Sequence, residues 1–201
     1  MIEPCLTSRE FETNYELKRL GVQMISHFRY SDKDIKELLS TLVIIIDSRE
    51  KKNSHIVDYL RRKEVQFRFM TLKTGDYSAC LPQNEKFGIV RDLYFSASIE
   101  RKNGVDELVE SIKDRSRFEN ELIRSTKHPF RMIVEELNGY EKILKGEYRS
   151  KYKPESLLGS LKTFENRYNF TTVFLAPNTS GNYILHHFLY MAREQLKGGI
   201  N

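Results

Sequence analysis

An α/β fold, with a central mixed β-sheet flanked by helices, is predicted by three observations. Short β-branched runs alternate with segments of helical period along the chain. The most apolar run, Leu42-Val-Ile-Ile-Ile46, lacks polar alternation, as a strand buried on both faces does. The 201 residues are enough to close one sizeable core.

In chain order, residues 11–20 and 32–42 read as helices with charged faces, the second N-capped by Ser31 with Asp32 and Asp34 in its first turn. They form an N-terminal helical extension over residues 1–40, ahead of a single domain over 41–201. The run 42–46 is the first strand. Residues 54–63 carry His55, Ile56, Tyr59 and Leu60 at helical spacing, and 65–72 alternate like a strand. Gly75-Asp76-Tyr77 breaks the pattern, and 77–81 with 93–100 read as hairpin arms joined by a long polar connection. A helix over 106–113 continues or restarts through 118–125. Residues 130–137 form a strand, 154–168 a helix, 171–175 a strand and 182–196 an amphipathic terminal helix. Gly198-Gly199 reads as a frayed tail.

The charge and composition exclude several classes. Thirty per cent charged residues against 39% apolar suits a water-exposed surface, and the longest apolar run falls far short of the roughly 18–20 residues a bilayer span needs. Glu3, Glu10, Glu12 and Glu16 interrupt the first twenty residues, so no signal peptide and a cytoplasmic location are expected. Cys5 and Cys80 have neither disulfide-framework nor zinc spacing and are expected reduced. The net charge of +5 suits a polyanionic partner without identifying one.

The chemistry is concentrated in Ile99-Glu100-Arg101-Lys102. On a strand, Glu100 and Lys102 are two apart and share a face. Hydrolysing a phosphodiester requires carboxylates to hold a cation, the cation to neutralise developing charge, and a group that orients or activates water. Glu100 supplies a ligand and Lys102 the water-orienting or charge-stabilising group. Asp47, directly after the apolar strand, and Asp76, behind Gly75, sit at loop–strand junctions that open on a cleft. These acids suit Mg²⁺, which takes oxygen ligands and keeps several waters. Glu50 and Asp106 are placed as outer partners. Arg49 and Arg101 are expected to point away from the neighbouring acids, in structural or phosphate-contacting roles.

Three ordered segments, Ile46-Asp47-x-Arg49-Glu50, Gly75-Asp76-Tyr77 and Glu100-Arg101-Lys102-x-x-x-Asp106, resemble the signature of the XPF-type nuclease domain. The resemblance runs over residues 42–137 and more loosely to 175. It implies a restriction-endonuclease-like core and an endonuclease that uses Mg²⁺ or Mn²⁺ on branched DNA such as flaps, forks or Holliday junctions, in recombination, repair or replication. It also implies cleavage that leaves a 5′-phosphate and a 3′-hydroxyl. Carried over position by position, Asp47, Asp76 and Glu100 are metal carboxylates and Lys102 is the catalytic lysine. Arg49, Glu50, Arg101 and Asp106 support them. The tandem helix-hairpin-helix domain of many members has no counterpart among the last sixty or so residues, and the compact form resembles short bacterial and phage members.

DNA contacts are expected from Arg115 and Arg117, in a ridge with Lys113 and Arg124 that Asp114, Glu119 and Glu121 interleave, and from Arg149, Lys151 and Lys153 with Tyr148 and Tyr152. An ordinary solvated helix face and an ordinary loop are the plain alternatives for these two groups. His186-His187 lacks partners at metal spacing and is expected in the core or on the surface. A junction cutter needs two sites, so a homodimer is expected. The competing class is a DNA-binding or scaffold subunit of a recombination complex that keeps the fold without cutting.

Overall fold

A computed structural model describes residues 30–198. The expected helix over 11–20, Cys5 and Gly199 lie outside them. The chain runs α1 (Asp32–Leu39), β1 (Val43–Asp47), α2 (Ser54–Arg62), β2 (Gln66–Met70), β3 (Tyr77–Leu81), β4 (Leu93–Tyr94), β5 (Ser98–Lys102), α3 (Val105–Lys113), α4 (Arg115–Ser125), β6 (Phe130–Val134), α5 (Gly139–Lys145), α6 (Pro154–Tyr168), β7 (Thr171–Phe174) and α7 (Ser180–Gly198).

The seven strands form one mixed sheet in the order β2-β1-β3-β5-β6-β7, with β4 added to β3. β1–β2, β5–β6 and β6–β7 are parallel, whereas β3 is antiparallel to both β1 and β5. β1 and β5 are buried along their whole length, which is why β1 reads as an unbroken apolar run. β2 is an edge strand and mostly exposed.

Strand alternation divides the interior into two layers. Ile44, Ile46, Ile99 and Ile133 face α1, α2 and α7, packing with Ile56, Leu60, Ile184 and Phe188. Met132 and Val134 face α3, α4 and α6, packing with Leu108, Phe118, Leu122 and Phe164. α1 is capped as its sequence predicts: Ser31 and Asp34 exchange side-chain and backbone hydrogen bonds in a capping box, and Ile35 and Leu38 are buried.

Three sequence expectations are corrected in detail. The second hairpin arm is broken: β4 pairs β3, but β5 meets β3 only at Tyr77↔Ile99. In the interval the Ser78 hydroxyl takes over, donating to the carbonyls of Ala97 and Phe95. The strand expected over 130–137 stops at Val134, where the chain turns toward α5, a seven-residue helix that buries only Gly139 and Ile143 and so leaves little periodic signal in the sequence. The helix break between α3 and α4 falls at Asp114, whose ψ of 62° leaves the helical region.

Candidate active site

Three neighbouring strands deliver the acids to one end of the sheet. Beyond the ordinary register, Asp47 N–H donates to the Asp76 carbonyl (2.7 Å) and Asp76 N–H to the Ile99 carbonyl (2.9 Å). The ladder thus sets Asp47, Asp76 and Glu100 side by side. The close approach requires Gly75, whose φ of +71° is left-handed; a Cβ there would stand 2.9 Å from Ser98 Cβ and 3.0 Å from the Ile99 carbonyl oxygen.

The result is an open cleft of about 750 Å³. Asp47, Arg49, Glu50, Asp76, Glu100, Arg101 and Lys102 all line it, together with Arg117 of α4. The expected grouping around Asp47, Asp76, Glu100 and Lys102 is therefore a single place. Glu100 and Lys102 share a face as predicted, and Lys102 Nζ donates to Glu100 Oε1 at 2.6 Å. Both side chains are less than a tenth exposed, and the ammonium stands 5.9 Å from the centre of the Phe118 ring.

The electrostatics separate the carboxylates. Burial, then the negative charge of Glu100, raises the pKa of Asp76 to about 8; the Arg101 N–H, at 2.8 Å from Asp76 Oδ2, offsets only part of this. Glu100 is also raised, by burial, with Lys102 acting in the opposite direction. Burial works against the Lys102 ammonium, but Glu100 outweighs it and holds its pKa above the ordinary lysine value. Asp47 behaves oppositely: hydrogen bonds from Arg49 lower its pKa to about 2.

Here the expectation for Arg49 is corrected. Its Nε and Nη2 donate to Asp47 Oδ1 and Oδ2 at 2.8 and 2.9 Å, so it turns back on the neighbouring acid. The strand ends at Asp47, and the following turn cancels the alternation that would have separated them. The Leu72 N–H completes the Asp47 shell at 2.7 Å. Arg101, by contrast, does point away from Glu100, into the opposite layer, where it meets Glu50 and Glu135.

Other sequence candidates are dispersed. Asp106 is absent from the cleft lining and accepts from the backbone N–H and Nε of Arg149 at 2.8 and 2.7 Å. Arg149 is thus an outlying partner of Asp106, and Lys151 and Lys153 are exposed in the same loop before α6. Arg115 pairs with Glu119 and lies 5.0 Å over the Phe164 ring, outside the lining. Arg117 and Arg124 are in the lining and exposed, as is Lys73, and none of the three has an ion pair among the described residues.

Sequence reasoning undervalued Glu121. It lines the cleft and opposes ionisation of Glu100 through charge and a side-chain hydrogen bond. Arg117, Glu121 and Arg124 lie at i, i+4 and i+7 on α4, and that spacing was the available signal for a common face. Neither Glu135 nor His55 was marked as a functional residue, because only folding brings them to Arg101. His186 is exposed and His187 stacks on Tyr183, consistent with surface and packing roles.

Among the described residues no three Asp, Glu, His or Cys side chains already form a group that could hold a metal ion. The donor chemistry nevertheless fits a hard divalent cation. Asp76 and Glu100 are buried oxygen donors, and the charge of Glu100 raises the pKa of Asp76, a repulsion that a cation between carboxylates relieves.

A pH effect on stability follows. Because the folded-state pKa of Asp76 lies above the ordinary 3.8, its contribution is fully present below that value and is lost as pH rises through about 8. Glu100 acts in the same direction. Thermal melts in EDTA are therefore expected to show a falling midpoint from about pH 5 to about pH 9. A midpoint that is flat or rises over that interval would mean that the two acids are not crowded together.

The ERCC4 domain family model matches residues 46–187. Among solved structures the chain is similar to XPF from Aeropyrum pernix, at 21% identity and a TM-score of 0.55 over 75% of this chain and 65% of that one. It is also similar to the same archaeal protein solved in complex with DNA, at 19% identity and a TM-score of 0.53 over 76% and 65% of the respective chains. This chain therefore spans about two thirds of the length of those structures. No curated protein matches the sequence. The likeness establishes the restriction-endonuclease-like α/β fold, a mixed sheet between helical layers, as the resemblance of the three sequence segments implies.

Proposed function

Since the chain belongs to the ERCC4 domain family, we propose that it is a metal-dependent endonuclease that hydrolyses phosphodiester bonds in branched DNA. The observation that carries this reading is the buried Glu100–Lys102 pair set beside Asp76 in an open cleft whose rim holds unpaired cations. The DNA complex of the archaeal XPF supports nucleic acid as the ligand.

Asp76 and Glu100 would hold Mg²⁺ or Mn²⁺, with Asp47 joining them where Arg49 releases it. Bound there, the cation would supply charge neutralisation at the phosphate and a more acidic water. The roles of the chain's own residues follow from their environments. Lys102 keeps its proton, because Glu100 raises its pKa, so it is a donor and not a base. Its ammonium orients the attacking water or stabilises charge on the phosphoryl oxygens. Arg117, Arg124 and Lys73 on the rim are placed for flanking phosphates. Arg115 and Arg149, each paired with an acid, are weaker candidates.

Among the described residues no helix is long and apolar enough to cross a membrane. A homodimer belongs to the same proposal. Leu137, Tyr140 and Leu144 are exposed at i, i+3 and i+7 along and just before α5, which supports an apolar contact surface.

Labelled flap, fork, four-way-junction and linear duplex DNA, incubated with Mg²⁺, Mn²⁺ or EDTA, test the reading. Cutting of a branched DNA in metal, abolished by EDTA, is expected, and the mass of the active species in solution decides the dimer. Binding without cutting in both metals would favour the scaffold class instead.

A further inference from the structure

Behind the cleft, on the α2 side of the sheet, a chain of polar contacts runs inward from the surface. His55 of α2, with its side chain 32% exposed, donates from Nε2 to Glu135 Oε1 at 2.6 Å. Glu135 follows β6, and its side chain is 1% exposed. Its other oxygen accepts from Arg101 Nη1 at 2.5 Å, and Arg101 Nη2 reaches Glu50 Oε1 at 3.0 Å. The main-chain N–H of the same Arg101 donates to Asp76 Oδ2 at 2.8 Å. A partly exposed imidazole is thereby connected, through one acid and one arginine, to a carboxylate of the cleft.

The charges give this string its sensitivity. Glu50 and Glu135 place two carboxylates against a single guanidinium, and buried charges hold their geometry only when their partners are complete. His55 supplies the remaining donor to Glu135. Without it, one Glu135 oxygen has no partner in the string, and the Glu135–Arg101 contact is free to re-form around other donors. Arg101 is 3% exposed, so its own side-chain torsions have little room to absorb a displaced guanidinium, and the shift passes to the β5 backbone that aims its N–H at Asp76. Outer partners of this kind orient the groups that act directly.

We propose that His55 is a positioning residue, which through Glu135 and Arg101 holds the Asp76 carboxylate in its orientation toward Glu100. The rate measurement below rests on the nuclease reading; the spectroscopic one does not. His55→Ala removes the donor, whereas His55→Gln retains an amide N–H in a similar place. In ¹⁵N–¹H spectra of the full chain, the Arg101 amide resonance reports its hydrogen bond to Asp76. His55→Ala is expected to fold, to shift the Arg101 amide, and to lower kcat on a cleaved DNA by about tenfold with KM unchanged. His55→Gln is expected to return both to wild-type values.

An Arg101 amide that does not move in His55→Ala overturns the proposal. So does a His55→Gln chain as displaced as His55→Ala. A His55→Ala chain that fails to fold also overturns it, in favour of a purely structural role. Absence of cutting by the wild type counts against the nuclease reading alone, because the amide resonance still decides the role of His55.

Discussion

Lys102→Met is expected to lower cleavage by about 10²–10³-fold while leaving DNA binding within a few-fold of wild type, the loss typical of one donor aimed at developing charge. Lys102 lies deep in the cleft, paired to Glu100 at 2.6 Å, whereas phosphate gripping falls to the exposed rim cations Arg117, Arg124 and Lys73. Methionine keeps most of the aliphatic stem and loses only the ammonium that stands 5.9 Å from the Phe118 ring centre, so the fold should survive. The orphaned Glu100 limits the cost, because its carboxyl is already biased by burial toward the neutral form and can take a proton. Glu100→Gln with Lys102→Met should then be close to wild type in thermal stability and as inactive as Lys102→Met alone. Single-turnover cleavage and electrophoretic binding, measured together, check the separation; equal losses in both would make Lys102 a binding residue.

Arg101→Met is expected to cost about 3–5 kcal/mol in unfolding free energy, because it leaves buried acids without their shared counter-charge. Glu135 and Glu50 each lose a guanidinium contact, and the side chains concerned are 1%, 11% and, for Arg101 itself, 3% exposed. Lysine is a poor substitute, since a single ammonium cannot reproduce two forked contacts to different strands' neighbours. Urea denaturation at neutral pH reads the effect. A loss below about 1 kcal/mol would place this pair with surface ion pairs, which contribute little. The contrast between the two variants is informative: adjacent residues on one strand, facing opposite layers, are expected to fail in different ways, Lys102 in rate and Arg101 in stability.

Much of the candidate site was legible because strand geometry is local. Glu100 and Lys102 are two apart on β5, so alternation alone put them on one face, and the abrupt end of the Ile44–Ile46 run marked Asp47 as a strand-end acid. The same rule failed one residue later. Arg49 lies past the end of β1, in a turn where alternation no longer applies, and it folds back onto Asp47. α6 was readable to its ends because Pro154 opens it and Leu157, Leu161 and Phe164 recur at helical spacing, whereas the seven-residue α5 buries only Gly139 and Ile143.

The sequence by itself therefore determined the layered α/β class, the order of most elements, and the residue types that meet on β5, since those depend on periodicity along a continuous chain. Only the tertiary structure decided which charges share a site. It joined Glu121 to Glu100 across the cleft, withdrew Asp106 to Arg149, and brought His55 and Glu135, 80 residues apart, to the back of Arg101. The reason is physical. Alternation reports which side of a strand a residue occupies, but a carboxylate's partner and ionisation depend on burial and on charges from other segments, and these exist only after the chain has packed.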